Sequence, residues 1–134
     1  MIYMLDTNVC GYIIRDKPEN LKKKLKEIDL HHTLALSVIV VSELLYGAKK
    51  KNNFKLIKIV SAFIDNFVIM DFDEVSALEY ADIRIYLESI GQIIGSNDLF
   101  IAAHAKALKA VLVTINVKEF ERVPGLNLEN WVKR

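Results

Sequence analysis

Ile2-Tyr3-Met4-Leu5-Asp6-Thr7-Asn8 opens the chain with an apolar run stopped by a carboxylate and two small polar residues. A short run without polar alternation reads as a strand covered on both faces. The Asp that ends it is delivered to the C-terminal edge of the sheet, where open α/β sheets bind their ligands. Asp is also a favoured helix N-cap. The meaning of Asp6 therefore depends on whether other carboxylates are sent to the same edge.

Three more segments have the same strand character: Leu34 to Ser37, Phe67 to Met70 and Ala110 to Thr114. Helical patterns lie between them. Pro18-Glu19 suits a helix start, followed by Leu21, Leu25 and Ile28 at helical spacing. A helix entered near Val38 continues from Ser42 to Lys50, and Phe54, Ile57, Val60, Phe63 and Ile64 mark another apolar face. Asp73 caps a longer helix, with Val75, Leu78, Ala81, Ile85 and Tyr86 at helical intervals, that ends near Gly91. Ser96 or Asn97 caps the next. Strands alternating with helices predict an α/β fold, with a mostly parallel sheet between helices on both faces.

At 134 residues, with no linker, repeat or break in composition, the chain reads as one domain spanning 1–134. Its 18 basic and 17 acidic residues leave a net charge of +1, so any case for nucleic-acid binding rests on local patches. The single cysteine, Cys10, excludes an internal disulfide and reads as a buried thiol. Asp6 interrupts the first apolar run, so no signal-peptide pattern is present. The longest stretch free of Asp, Glu, Lys and Arg, Leu30 to Ser42, is too short to span a bilayer. A cytoplasmic protein without membrane contact is the expectation.

Three further acids stand in unusual surroundings. Glu43 interrupts Val40-Val41-Ser42-Glu43-Leu44-Leu45, an apolar helix start just after a strand. Asp98 lies in the first turn of the helix opened by Gly95-Ser96-Asn97, and Glu119 follows the last strand in Thr114-Ile115-Asn116-Val117-Lys118-Glu119. Each alone is ordinary: a solvated helix position, or an acid favoured by the helix dipole. In a parallel fold, however, all strand-to-helix turns emerge at one edge. Carboxylates gathered there repel one another and rise in pKa unless a cation neutralises them. Oxygen donors without a His or Cys cluster suit Mg²⁺ or Mn²⁺ rather than zinc, and such a centre is suited to phosphodiester hydrolysis.

Met4-Leu5-Asp6-Thr7-Asn8, Ser42-Glu43-Leu44 with Gly47, Asn97-Asp98-Leu99-Phe100-Ile101-Ala102-Ala103-His104 and Thr114-Ile115-Asn116-Val117-Lys118-Glu119-Phe120 occur in that order. Together they resemble the PIN-domain ribonucleases, in particular the VapC toxins of bacterial type II toxin–antitoxin modules. The resemblance covers the chain through Val123-Pro124-Gly125-Leu126 and Trp131. It implies a three-layer α/β/α fold with four to five short strands. It also implies a Mg²⁺- or Mn²⁺-dependent endoribonuclease acting on structured RNA such as tRNA. The catalytic acids would be Asp6, Glu43, Asp98 and Glu119, with Asp6 and Asp98 on the metal. Glu119 takes the fourth charged role because Asn116 offers only a neutral amide; Asn8, Thr114 and Asn116 would be supporting polar contacts. The resemblance further implies a homodimer and inhibition by a VapB-type antitoxin. The alternative is a catalytically inactive PIN-like RNA-binding or assembly module.

Other chemistry finds little support. No Ser-His-Asp or Cys-His pairing suggests covalent catalysis, and no Gly-rich phosphate loop suggests an NTPase. His104 reads as a packed, hydrogen-bonded residue rather than a general base. A phosphoacceptor domain of the response-regulator kind would need a central Asp where this chain has Glu43. Two lysine clusters, Lys22, Lys23, Lys24 and Lys26, and Lys49 to Lys51 with Lys55 and Lys58, are solvated faces or phosphate contacts.

Overall fold

β1 (Ile2–Leu5) occupies the centre of a five-stranded sheet in the computed structural model, which describes residues 1–15 and 20–132. β2 (Thr33–Ser37) and β3 (Val68–Met70) lie on one side of β1, and β4 (Val111–Val113) and β5 (Asn127–Glu129) on the other. All four neighbouring pairs are parallel. Parallel strands need long crossovers, and helices supply them. α1 (Thr7–Ile14) and α2 (Asn20–Asp29) join β1 to β2; α3 (Val38–Lys50) and α4 (Phe54–Ile64) join β2 to β3. α5 (Glu74–Ser89) and α6 (Ser96–Ala107) lead to β4, and α7 (Val117–Phe120) to β5. The chain thus moves outward from β1 through β2 to β3, then returns to β4 on the other side. That reversal makes the C-terminal ends of β1 and β4 a topological switch point, the usual place for a ligand.

The expected α/β architecture is present, with the central strands buried as the apolar runs require. Met4, Leu5, Leu36, Leu112 and Val113 have no solvent exposure, and Cys10 is a buried free thiol among them. Helix ends follow local chemistry. Asp73 accepts the Ser76 N–H at 3.0 Å to cap α5, and Gly91 follows that helix at φ 67°. Asn52 at φ 50° breaks α3 from α4, and the Asn53 side chain caps α4 through the Leu56 N–H.

The fifth strand that the resemblance allows is β5, which has no strand pattern of its own because Asn127-Leu128-Glu129 is short and polar-flanked; its pairing with β4, after a turn at Gly125 (φ 75°), makes it a strand. Three expectations change. β3 is an edge strand, so Val68 and Ile69 are exposed rather than covered on both faces. The stripe Val75, Leu78, Ile85 and Tyr86 faces outward on α5; the helix buries Ser76, Ile83 and Leu87 instead. α6 is capped by Gly95, with no side-chain cap bond, and not by Ser96 or Asn97. The Pro18-Glu19 helix start lies outside the described residues.

Removing a fully buried side chain from an inner strand leaves a cavity. Leu112→Ala should lower unfolding free energy by about 2–5 kcal/mol, whereas Val68→Thr on the exposed edge should change it by about 0.5 kcal/mol or less. Urea denaturation of the two variants measures the difference.

Candidate active site

Asp6 caps α1 and is a candidate site acid at the C-terminal edge of the sheet. Its N–H extends the β1–β4 ladder to the Val113 carbonyl at 3.0 Å, and its Oδ1 accepts the Val9 N–H at 3.0 Å as the N-cap of α1. The carboxylate is almost wholly buried. Burial raises its pKa, the Thr114 hydroxyl and the Val9 N–H hold it down, and the charges of Glu43 and Glu119 raise it again. Thr114 is itself fully buried at the end of β4, and its Oγ1 accepts the Asn116 N–H at 2.9 Å.

Glu43 reaches the same cleft from α3. Its Oε1 accepts the Thr7 hydroxyl at 2.5 Å and its Oε2 accepts the Asn97 side-chain amide at 3.1 Å, so one carboxylate ties the starts of α1 and α6 together. Glu119, in α7, is held by the Gly95 N–H at 3.0 Å and by the Asn116 side-chain amide. Asp98, half-buried in the first turn of α6, has its pKa raised to about 7. Burial is the largest cause, followed by the charge of Glu119 and a hydrogen bond shared with it, then by Asp6 and Glu43. Gly95 lies against this pair: a Cβ there would stand in ordinary contact, 3.6 Å from Asp98 Oδ2 and 3.9 Å from Glu119 Oε1.

The structure therefore brings Asp6, Glu43, Asp98 and Glu119 into one electrostatically coupled cleft, with Thr114 and Asn116 bound to its acids. Asn8 is different. It is exposed beside Glu43 and makes no side-chain hydrogen bond to these acids among the described residues. The preceding Thr7 makes that contact. Thr7 and Asn97 were missed as site residues although each adjoins a site carboxylate. Their signal was adjacency, since a small polar residue beside an acid at a helix start is placed to donate to a neighbour's acid.

Beneath the cleft, His104 fixes two of its helices. The fully buried ring hydrogen-bonds through Nδ1 to Ser37 Oγ at 2.7 Å, and Ser37 accepts the Ile39 N–H to cap α3. Burial lowers the His104 pKa, so the ring is neutral near pH 7. The packed role expected for it is the one observed.

The PIN domain family profile matches residues 3–126. Ribonuclease VapC2 of Rickettsia felis is 45% identical, with 99% of this chain and all of that protein aligned. The tRNA(fMet)-specific endonuclease VapC of Salmonella typhimurium is 36% identical over 96% of this chain and 97% of its own. The crystal structure of VapBC2 from Rickettsia felis, bound to a DNA fragment from its promoter, contains a chain that superposes with a TM-score of 0.94 at 44% identity. It covers 98% of this chain and 100% of its own. The chain belongs to the PIN-domain family and, within it, to the VapC ribonucleases.

Proposed function

We propose that this chain is the RNA-cleaving toxin of a type II toxin–antitoxin pair, a divalent-metal-dependent endoribonuclease neutralised by a VapB-type antitoxin. The observation that carries the reading is the convergence of Asp98 and Glu119 beside buried Asp6, with the Asp98 pKa raised to about 7 by burial and by its acidic neighbours. A cleft that binds a proton so readily favours any positive charge. Among the described residues no three acidic, His or Cys side chains form a ready metal cage. Mg²⁺ fits such a site, since it is held by one or two carboxylates, keeps several waters and takes further oxygens from a substrate phosphate.

Asp6 and Asp98 would hold the cation, Mg²⁺ or Mn²⁺, whose contribution is to offset charge on the phosphoryl oxygens and to acidify water. The chain's own residues do the rest. Glu43, clamped by Thr7 and Asn97, has a fixed direction and would orient the attacking water. Glu119, steered by Gly95 and Asn116, lies against Asp98 and would accept a proton released in the cleft. The N-termini of α1 and α6 add partial positive charge where the phosphate enters. A structured RNA such as tRNA is the substrate class, supported by the tRNA(fMet)-specific endonuclease among the relatives. Partner and dimer follow the same line: the apolar stripe Val75, Leu78 and Ile85, exposed along α5, suits a second copy. No helix among the described residues is long and apolar enough to cross a membrane, which supports action in the cytoplasm.

Asp6→Asn and Asp98→Asn should each lower RNA cleavage by at least about 100-fold, on the scale of losing an electrostatic group at a reacting centre, while circular dichroism stays unchanged. EDTA should stop the wild type and added Mg²⁺ or Mn²⁺ should restore it; full cleavage in EDTA excludes the mechanism. The pH dependence has a definite sign. Asp98 rises from 3.8 to about 7 on folding, so the native state holds a proton that the unfolded chain has released between those values. Metal-free protein should therefore lose stability as pH rises through that window, and Asp98→Asn should flatten the loss in thermal melts. Ile85→Glu should shift the protein toward a monomer in light scattering without loss of fold.

A further inference from the structure

The carboxylate cleft opens into a groove of about 540 Å³ between α1, α3 and α4. Its near end holds Thr7 and Glu43, its floor is apolar with Leu44, Leu56 and Val60, and its far end carries Arg15 and Lys51. Eight residues of helix separate Thr7 from Arg15, about 12 Å at 1.5 Å per residue. Two small residues keep the groove open. A Cβ on Gly47 would meet no heavy atom within 4 Å, and one on Gly11 would press on the Arg15 guanidinium at 3.3 Å. The Arg15 guanidinium lies 5.1 Å from the centroid of the Tyr12 ring, within cation–π range.

The flank of the groove is basic. Lys49, Lys50, Lys51, Lys55 and Lys58 cluster on α3, α4 and the turn between them, and none pairs with a carboxylate among the described residues. Two exposed aromatic rings stand among them, each with a lysine above it: Tyr46 with Lys50 at 5.7 Å, and Phe54 with Lys58 at 4.9 Å. Cations without acidic partners, interleaved with exposed rings, make a surface for single-stranded nucleic acid. In a chain of net charge +1 this is a local surplus.

We infer that Arg15 and Lys51 bind backbone phosphates of the RNA strand next to the scissile one, with the intervening nucleotide over the apolar floor of the groove. This inference rests on the ribonuclease reading and extends it to how the strand is held. Phosphate contacts fix position rather than sequence, so Arg15 and Lys51 are positioning residues. They set which phosphate reaches the acids.

The test uses a fluorescein-labelled single-stranded RNA, with anisotropy measured over a range of salt in the Asp98→Asn background so that nothing is cut. Arg15→Gln/Lys51→Gln should weaken binding at least tenfold. It should also reduce the slope of log affinity against log salt by about 1.4, at roughly 0.7 per single-strand phosphate contact. Lys51→Gln alone should give about half that change in slope. Lys109→Gln, just before β4 at the opposite edge of the sheet, should leave both quantities unchanged. In the active protein the double variant should raise KM and spare kcat. Unchanged RNA affinity and slope in a folded double variant would overturn the inference; if binding of the cognate antitoxin fell instead, the far end of the groove would be a protein site. A wild type that binds this RNA through Arg15 and Lys51 but cleaves neither it nor bulk tRNA with metal present would sink the nuclease reading and leave the phosphate contacts standing.

Discussion

Repulsion among carboxylates is the constraint around which this protein is built. Four acids share one cleft, and three of them are held by donors: Asp6 by Val9 and Thr114, Glu43 by Thr7 and Asn97, Glu119 by Gly95 and Asn116. Asp98 has Glu119 itself as its hydrogen-bonding neighbour, and its pKa is raised first by burial and then by the charges of Glu119, Asp6 and Glu43. The sheet makes such crowding possible because its parallel strands all end on one side. The reversal of strand order between β1 and β4 then provides a crevice there. Folding stability and the gathering of negative charge therefore oppose each other at the same atoms, a trade-off common at functional sites.

Much of this was legible in the sequence where local chemistry and tertiary demand agree. β1, β2 and β4 are apolar runs because buried strands must be, and the acids that follow β1 and β4 lie at the predicted edge. Legibility failed where the deciding contact is remote. Asn127-Leu128-Glu129 carries no strand pattern of its own and becomes one through β4. On α5, two apolar faces compete, and periodicity alone does not say which one turns inward. In the site, the acids stood out because carboxylates in apolar company are rare. Thr7 and Asn97 did not, because small polar residues at helix starts are common and their partner, Glu43, is far away in sequence.

Several residues serve two ends at once. Asp6 begins α1 and supplies a site carboxylate, so the positive end of that helix and the acid are aligned by the same bond. Gly95 begins α6 without a side chain and gives its N–H to Glu119, and Asn97 forgoes the cap to hold Glu43. Such economy leaves little freedom for substitution around the cleft.

The link between His104 and Ser37 is fully buried, yet it joins α6, which carries Asp98, to the start of α3, which carries Glu43. Its partners are 67 positions apart in the chain and form one buried donor–acceptor unit. Loss of the Ser37 hydroxyl would strip His104 Nδ1 of that partner in a dry interior, whereas loss of His104 would leave Ser37 with its Ile39 bond alone. A variant with apolar residues at both positions would carry the same four acids without the bond that ties their two helices together.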